Sequence, residues 1–368
     1  MRLTGARGSG TRARMATVKS AKKAAKEKGA VSLEEPHPNE EVAETRLVGD
    51  VGGTRTRLRL HAPGVRVPLR EAIVPSASHA GLEEIVTEFL EGYPRPTAAV
   101  FGVAGPVKGR TASITNLPWK LDERALSKRL RIANVRLCND LEVGARGCLE
   151  MGKRDLVLLT DRPPAKKDLH IGVLAAGTGL GEARLIWAAG RYHALPTEGG
   201  HVDFAPRSAL EVDLYRFLAE RFPDHVSWER VISGAGLGAV YDFFTSREGG
   251  EPAEITARLA AGDRNAIIAE LGLSRAHQPA ALAVDLFARM YGAEAGNVAL
   301  RELALGGVYI LGNIGASILP ARRELFMEGF LAKGRFRDLL ATVPVAIVND
   351  PLVGLRGALA IAEDLAMS

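Results

Sequence analysis

Asn139 and Asp140 are the adjacent side chains whose types best suit catalysis, and they follow a short apolar strand predicted over residues 135–138. Residues 141–151 place their apolar side chains on one helical face, so the pair is predicted to lie at a strand-to-helix corner. On this rigid corner the carboxylate could accept a hydroxyl proton while the amide holds the same substrate. Helix capping is the alternative interpretation, since either residue type is a good N-cap.

A hairpin predicted over residues 47–60 is the next candidate, with Gly52 and Gly53 at its tip. Glycine has no β-carbon, so backbone N–H groups at the tip can approach a phosphate closely. Asp50 enters the turn as a carboxylate that could hold a divalent metal, directly or through water, and Thr54 adds a hydroxyl donor. A simple hairpin turn is the alternative for a bare glycine pair.

Residues 169–186 repeat this pattern of apolar strand, glycine tip and second strand, with the tip at Gly177, Thr178 and Gly179. Duplication of one unit would place two phosphate-facing tips opposite each other across a cleft. Gly312 ends a later buried-type strand over residues 308–312, where an adenine or ribose could approach the backbone.

Four further polar side chains could contact a ligand. Asn116 lies on a loop because Pro118 excludes a helix interior there, and its amide could equally be a turn amide. Glu198 and His201 flank a glycine pair, although such side chains are usually surface or capping groups. Glu229 lies in a short helix predicted to begin after Ser227 and to end near Gly234, and its alternative is a helix-surface carboxylate.

Composition bounds the class of protein. The 368 residues are 46% hydrophobic but only 5% aromatic, with 40 glycines, which is typical of an α/β enzyme with many tight turns. No apolar run reaches the ~18 residues that a membrane helix needs, which predicts a soluble protein. Two cysteines provide neither a disulfide framework nor a zinc quartet, so a reduced, cytoplasmic protein is expected.

The net charge of +5 belongs to the N-terminal segment. Residues 1–33 carry nine Lys/Arg and one acid, so the remainder is mildly acidic and no nucleic-acid partner is predicted. Residues 1–45 contain few residues that could build a core, and a disordered basic tail is predicted for them. A transit peptide, a start at Met15 and a nucleic-acid-binding tail are the alternatives.

From about residue 46 to the C-terminus, the chain resembles the bacterial glucokinase family of the sugar kinase/actin-like ATPase fold. The resemblance rests on motifs in a fixed order: residues 49–54, 104–106, 115–119, 139–140, 177–181, 198–206, 229–234 and 306–310. It implies an α/β, two-domain actin-like ATPase (ribonuclease H-like) fold with a cleft between the domains. The small domain would comprise residues 46–150 and 346–368, and the large domain residues 151–345.

The resemblance also implies the reaction, which is ATP-dependent phosphorylation of the glucose 6-hydroxyl to give glucose 6-phosphate and ADP, with Asp140 as the general base. The residues implied to hold the sugar hydroxyls are Asn116, Asn139, Glu198, His201 and Glu229. Those implied for ATP are Gly49, Asp50, Val51, Gly52, Gly53, Thr54, Gly177, Thr178, Gly179 and Gly312. Magnesium would be bound near Asp50, through water.

Departures from the family pattern fall on the nucleotide side, at Arg55, at residues 175–176 and at Asn313. Neither cysteine lies near His201 in sequence, which disfavours the related kinases that carry a zinc cluster. The alternatives are a kinase for another hexose, a non-catalytic sugar-responsive regulator and an actin-like ATPase that binds proteins. The predicted partners are a sugar and a nucleotide, with no nucleic acid and no membrane, and a homodimer is the oligomer considered.

Overall fold

The computed structural model describes residues 44–114, 116–165 and 167–367. The tail predicted over residues 1–45 therefore lies outside the described part except for its last two residues. The strands are β1 Arg46–Val51, β2 Arg55–His61, β3 Arg70–Pro75, β4 Ala98–Val103, β5 Val107–Lys108, β6 Thr111–Ser113, β7 Lys120–Asp122, β8 Asn134–Asn139, β9 Leu156–Leu158, β10 Ile171–Ala176, β11 Leu180–Ala188, β12 Arg191–Thr197, β13 Gly307–Leu311 and β14 Val345–Val348.

Helices connect and cover these strands. They are α1 Leu82–Phe89, α2 Glu123–Leu130, α3 Asp140–Cys148, α4 Ala209–Arg221, α5 Gly234–Arg247, α6 Ala253–Ala261, α7 Arg264–Leu273, α8 Gln278–Arg301, α9 Asn313–Ile318, α10 Arg323–Leu331, α11 Arg337–Ala341 and α12 Val353–Ala366. No helix in the described ranges is long and apolar enough to cross a membrane.

The first sheet has the order β3-β2-β1-β4-β8. β1 and β2 form the predicted antiparallel hairpin, in which Val51 faces Thr56 across the register. β1, β4 and β8 run parallel, so their carboxyl ends lie at one edge of the sheet. β4 is buried along its whole length, as is usual for an apolar strand covered on both faces in parallel pairing.

The second sheet repeats this arrangement in the order β12-β11-β10-β13-β14-β9. β10 and β11 form the second predicted hairpin, and β10, β13 and β14 run parallel. The sheet also contains an antiparallel edge strand, β9, which pairs with β14. A small third sheet, β5-β6-β7, follows the turn after β4.

Two helices lie between the sheets. α3 follows β8 of the first sheet, yet its apolar side chains Leu141, Ala145 and Cys148 pack with strands β10, β11 and β13 of the second sheet. α12 follows β14 of the second sheet and packs on β1 and β4 of the first. The chain thus returns to the first sheet as expected, and the predicted boundary at residue 346 falls inside β14.

Candidate active site

The carboxyl ends of the parallel strands of both sheets open on one cavity of about 1700 Å³. Ligands collect at such edges in open α/β sheets because strand ends, turns and helix starts expose backbone groups there. The predicted site residues that line the cavity are Gly49, Asp50, Asn139, Asp140, Gly177, Thr178, Gly179, Glu198, His201, Glu229 and Gly312. Residues separated by up to 263 positions in the sequence, from Gly49 to Gly312, are therefore brought to one cleft.

Asp140 is exposed in this cleft as the first residue of α3. One carboxylate oxygen, Oδ1, accepts a hydrogen bond from the backbone N–H of Leu141 at 2.9 Å. The surrounding protein raises the pKa of Asp140 above its ordinary value because it removes part of the hydration of the charged form, and the negative charge of Asp50 raises it further. The group is thus a stronger base than an aspartate in water.

Asp50 lies one residue before the end of β1, on the cleft side. Its side chain reaches solvent within the cleft, yet the surrounding protein still raises its pKa, an effect that the positive charge of Arg57 on β2 opposes. Asp50 and Asp140 therefore place two mutually repelling carboxylates in one cavity, which is a donor set suited to a hard divalent cation. The described residues contain no group of three or more His, Cys, Asp or Glu side chains able to hold a metal alone.

Asn139 takes the capping role that the sequence left as an alternative. Its Oδ1 accepts from the N–H of Leu141 at 3.0 Å, and its Nδ2 donates to the carbonyl of Gly105 at 3.2 Å. The second bond ties the β8–α3 corner to the turn that follows β4. One amide hydrogen and one lone pair remain for a ligand.

Glu198, His201 and Glu229 form the second group of side chains in the cleft. Nε2 of His201 lies 3.9 Å from Oε2 of Glu198, and its Nδ1 lies 4.0 Å from Oε1 of Glu229. Glu229 is held in turn by the N–H of Leu180, which donates to Oε2 at 3.0 Å. A β-carbon at Gly179 would overlap this same oxygen, so the glycine tip is shaped around Glu229.

The local structure around Glu229 differs from the sequence expectation. Trp228–Arg230 is a single 3-10 turn, and the side chain of Ser227 caps nothing. Gly234 begins α5 rather than ending a helix, and Ser233 is the cap, accepting from the N–H of Gly236 at 3.0 Å. The buried indole of Trp228 anchors the turn, so Glu229 points to the cleft instead of lying on a helix surface.

The glycine tips occupy different places relative to the cavity. Gly177, Thr178 and Gly179 line it, and the carbonyl of Gly177 accepts from the N–H of Gly234 at 2.9 Å. Of the first hairpin, Gly49 and Asp50 line the cavity, whereas Val51, Gly52, Gly53 and Thr54 are outside its lining. The N–H of Gly52 is used by the carbonyl of Arg55 within the turn, as a plain hairpin requires.

Gly312 is a position where only glycine fits. Its φ is +93°, and a β-carbon there would overlap the carbonyl of Ala176 at the end of β10. The glycine lets the ends of β13 and β10 approach each other beside the tip at Gly177.

Asn116 is the predicted sugar ligand that the cavity lining does not include. It is exposed and adopts a left-handed φ of 67°, which suits a turn amide. Conversely, Lys108 and Arg110 line the cavity although the sequence reading passed over them. They flank Gly109 at the β5–β6 turn. The signal available in the sequence was this pair of cations around a glycine, just after the Gly105-Pro106 turn.

Comparison with known proteins agrees with this geometry. A family model described as Glucokinase matches residues 47–365. A glucokinase of Nostoc punctiforme is 39% identical over 332 residues, which cover 85% of this chain and 97% of that relative. Among solved structures, a glucokinase from an Antarctic psychrotroph aligns with a TM-score of 0.77 and 27% identity, covering 87% of this chain and 99% of its own.

A ROK family glucokinase from Streptomyces griseus, solved in complex with glucose and AMPPNP, aligns with a TM-score of 0.57 over 87% of this chain and 99% of its own. At 20% identity this likeness shows the fold alone.

Two sheets of the same strand order, with a polar cleft at their carboxyl ends, define a sugar kinase of the two-domain actin-like ATPase fold. The family model spans most of the chain, and the curated relative is similar over nearly its full length. The chain belongs to the glucokinase family, and its activity is the ATP-dependent phosphorylation of glucose.

Proposed function

We propose that Asp140 is the general base of this reaction and removes the proton from the 6-hydroxyl of glucose. The hydroxyl oxygen forms a bond to the γ-phosphorus of ATP, the bond from that phosphorus to the β–γ bridging oxygen breaks, and ADP leaves. The proton passes to the Asp140 carboxylate. The observation that carries the proposal is the single cavity that Asp140 shares with Asp50, the second glycine tip and the Glu198–His201–Glu229 group.

The raised pKa of Asp140 supports this role. A base works best when its pKa approaches the working pH, and both partial burial and the charge of Asp50 move the pKa of Asp140 in that direction. Oδ1 is engaged with the N–H of Leu141, so Oδ2 is the oxygen available to the proton.

The sugar site is proposed to comprise Glu198, His201, Glu229, Asn139 and Asn116. The first three stand together in the cleft, and the remaining hydrogen-bonding capacity of Asn139 adjoins Asp140. Several polar groups around each hydroxyl give selectivity, because a sugar lacking one hydroxyl leaves a buried group unpaired. Asn116 would have to approach the cavity when the cleft closes.

ATP is proposed to bind along the glycine-containing strand ends. The residues involved are Gly49, Asp50, Val51, Gly52, Gly53, Thr54, Gly177, Thr178, Gly179 and Gly312. Gly177, Thr178, Gly179 and Gly312 support this best, since they line the cavity around the start of α5. The glucose and AMPPNP bound to the Streptomyces griseus enzyme are the two ligands that such a cleft would hold together.

Magnesium is proposed to be held near Asp50, through water. Magnesium sites in kinases use one or two carboxylates with waters and substrate phosphates, and Asp50 in the cleft supplies such a carboxylate. When bound, the ion would neutralise charge on the ATP phosphates. A cytoplasmic location is proposed from the need for ATP and from two buried free cysteines. A homodimer is also proposed, and sedimentation analysis of the molecular mass in solution tests it.

Replacement of Asp140 by Asn tests the base. The amide keeps the size and can still accept from Leu141, but it cannot take a proton. We expect kcat to fall by about 10²–10⁴, as for loss of a general base, while the glucose Kd from calorimetry stays within a few-fold of the wild type.

Glu142→Gln is the matched control, because Glu142 lies in α3 and lines the same cavity but pairs with Arg136 at 2.8 Å. Its kcat should stay near that of the wild type. An Asp140→Asn enzyme with near wild-type kcat would refute the assignment. A panel of hexoses measured with the wild type separates a glucose kinase from a kinase for another hexose.

A further inference from the structure

A buried carboxylate lies directly beneath the loop that carries Glu198 and His201. Glu182, on β11, is only 4% exposed, and it faces Thr197 across the β11–β12 register. A β-carbon at Gly199 would overlap Oε2 of Glu182, so the loop backbone passes immediately over this carboxyl group. None of the roles proposed above uses Glu182.

The side-chain hydroxyl of Thr197 connects the same strand to the loop. The hydroxyl of Thr197 donates to the carbonyl of Glu182 at 3.2 Å and accepts from the N–H of Gly199 at 3.1 Å. Gly199 follows Glu198 directly and stands two positions before His201. Glu182 therefore meets the loop in two ways: its carbonyl is linked to Gly199 through the Thr197 hydroxyl, and its side chain lies directly against Gly199.

The carboxyl group is held from below by the long helix α8. Nη2 of Arg301 contacts Oε2 of Glu182 at 3.0 Å and Oε1 of Glu294 at 2.6 Å. Glu294 is fully buried and also accepts from Nδ2 of Asn297 at 2.7 Å. Oε1 of Glu182 is buried and has no hydrogen-bond partner, which is costly for a charged carboxylate.

We propose that Glu182 is a positioning residue for the sugar-binding loop: held by Arg301, its carboxyl group supports Gly199 and thereby fixes Glu198 and His201 at the cleft. This inference rests on the proposed role of Glu198 and His201 in binding glucose. Glu182 does not line the cavity, so it acts through the loop and not on the sugar itself.

The electrostatics support a neutral Glu182. Burial, followed by the charge of Glu294, raises the pKa of Glu182 to about 8, and Arg301 only partly offsets this. One guanidinium between two buried carboxylates neutralises only one of them, so the second is more stable protonated. Among the described residues, the other titratable groups around this cluster are Tyr291 on α8, Lys333, the Arg207–Glu211 pair beyond it, and the Arg184–Glu302 pair, of which Glu302 also acts on Arg301.

A pH dependence follows with a definite sign. Glu182 is neutral in the folded protein up to a pH near its raised pKa, so the support is intact at neutral pH. Above that pH it ionises opposite Glu294, and repulsion between the two carboxylates displaces the loop. We therefore expect glucose affinity to weaken as the pH rises past about 8.

Glucose titration calorimetry from pH 6.5 to 9.5, without nucleotide, tests the inference with Glu182→Gln. Glutamine has the shape of the protonated side chain but carries no charge. The glucose Kd of this variant should match that of the wild type within about twofold at pH 7. It should not show the alkaline rise, by which we mean the increase of the wild-type glucose Kd above about pH 8. Glu182→Ala should weaken glucose binding about tenfold at every pH, leaving the KM for ATP unchanged. A Glu182→Gln enzyme that keeps the alkaline rise, or a wild type without one, overturns the inference.

Two controls isolate Glu182. Glu302→Gln removes the neighbouring β11–α8 ion pair, Arg184–Glu302 at 2.9 Å, which does not touch the loop, and it should retain the wild-type pH dependence. The pKa of Lys333 is lowered to about 8, chiefly by burial, so Lys333→Arg, which stays charged, should also retain the rise. If Glu182→Ala shows no cooperative thermal unfolding transition, it is not folded, and the Glu182→Gln variant then decides alone.

The two proposals fail in different ways. A wild type that does not phosphorylate glucose refutes the proposed function. A wild type that phosphorylates glucose, with Glu182 variants that bind it as the wild type does, refutes only the positioning role.

Discussion

Glu229 is held at the cleft by a backbone group of a distant hairpin. The N–H of Leu180 donates to its Oε2, and the absence of a side chain at Gly179 leaves room for that oxygen. Its other oxygen faces His201 at 4.0 Å. The second glycine tip thus lines the cleft and also orients the Glu229 carboxylate, which we propose binds the sugar.

Gly179→Ala should therefore affect sugar binding more than stability. The added methyl group displaces the flexible end of Glu229 and breaks its bond to Leu180, and loss of one hydrogen bond to a charged group costs about 1.5–3 kcal/mol, or about tenfold or more in glucose Kd. Calorimetry with glucose alone and a thermal melt measure the two effects.

Gly177→Ala is the matched control for this change, because a β-carbon at Gly177 meets open space. Its glucose Kd should equal that of the wild type, and any effect should appear in the KM for ATP. Equal glucose affinities for the Gly179 and Gly177 variants would contradict the account of Glu229.

At the scale of elements, α3 and α12 are joined by contacts that only glycine permits. A β-carbon at Gly147 would overlap the carbonyl of Val353, and one at Gly357 would overlap the carbonyl of Val143. The two helices therefore touch backbone to backbone. Because α3 packs on the second sheet and α12 on the first, this crossing ties the two halves of the fold together.

Gly147→Ala should destabilise the protein, since the obstacle is backbone that cannot rotate away. Overpacking of this kind costs about 1–3 kcal/mol of unfolding free energy, which urea denaturation can measure. Gly144→Ala is the control on the same helix: its nearest neighbour is a side-chain carbon of Leu311 at 3.3 Å, and alanine improves helix propensity. Equal stabilities of the two variants would show that the crossing has room to adjust.

The predicted elements agree with the structure where local patterns dominate. Both glycine hairpins form where the sequence pattern placed them. The prediction for the segment around Glu229 was wrong in detail. Trp228 packs against Phe204 and anchors the turn, and Ser233 caps the following helix. A buried aromatic contact from another part of the chain leaves no local signature in a short segment.

At the scale of the whole molecule, the repeated sheet order places two sets of strand ends around one cleft. Asp50 and Asp140 come from the first sheet, and Gly177, Glu198 and Glu229 from the second sheet and its connections. Because the two sides of the site belong to different sheets, we propose that binding of glucose brings the first sheet toward the second and expels water.

Small-angle X-ray scattering tests this closure. The radius of gyration should decrease when glucose is added to the wild type, because sugar contacts on both walls favour the closed arrangement. The Gly179→Ala variant should need a higher glucose concentration for the same decrease. A radius that does not change at saturating glucose, as established by calorimetry, would contradict the closure.

The sequence by itself determined the elements and the types of chemistry. Strand and helix periods, glycine tips and the order of Asp50, Asn139-Asp140, Glu198, His201 and Glu229 can be read locally, since each depends on residues within a few positions. It also pointed to a likeness between the two glycine hairpins, and the structure places them at equivalent positions in the two sheets.

Only the tertiary structure decided which of these residues meet and what holds them. It brought Lys108 and Arg110 into the cavity and left Asn116 outside the lining. It placed Glu182, Arg301 and Glu294 beneath the sugar loop, although 112 positions separate Glu182 from Glu294. Such contacts depend on how whole sheets and helices pack, and a side chain's burial, partners and pKa exist only once that packing has formed.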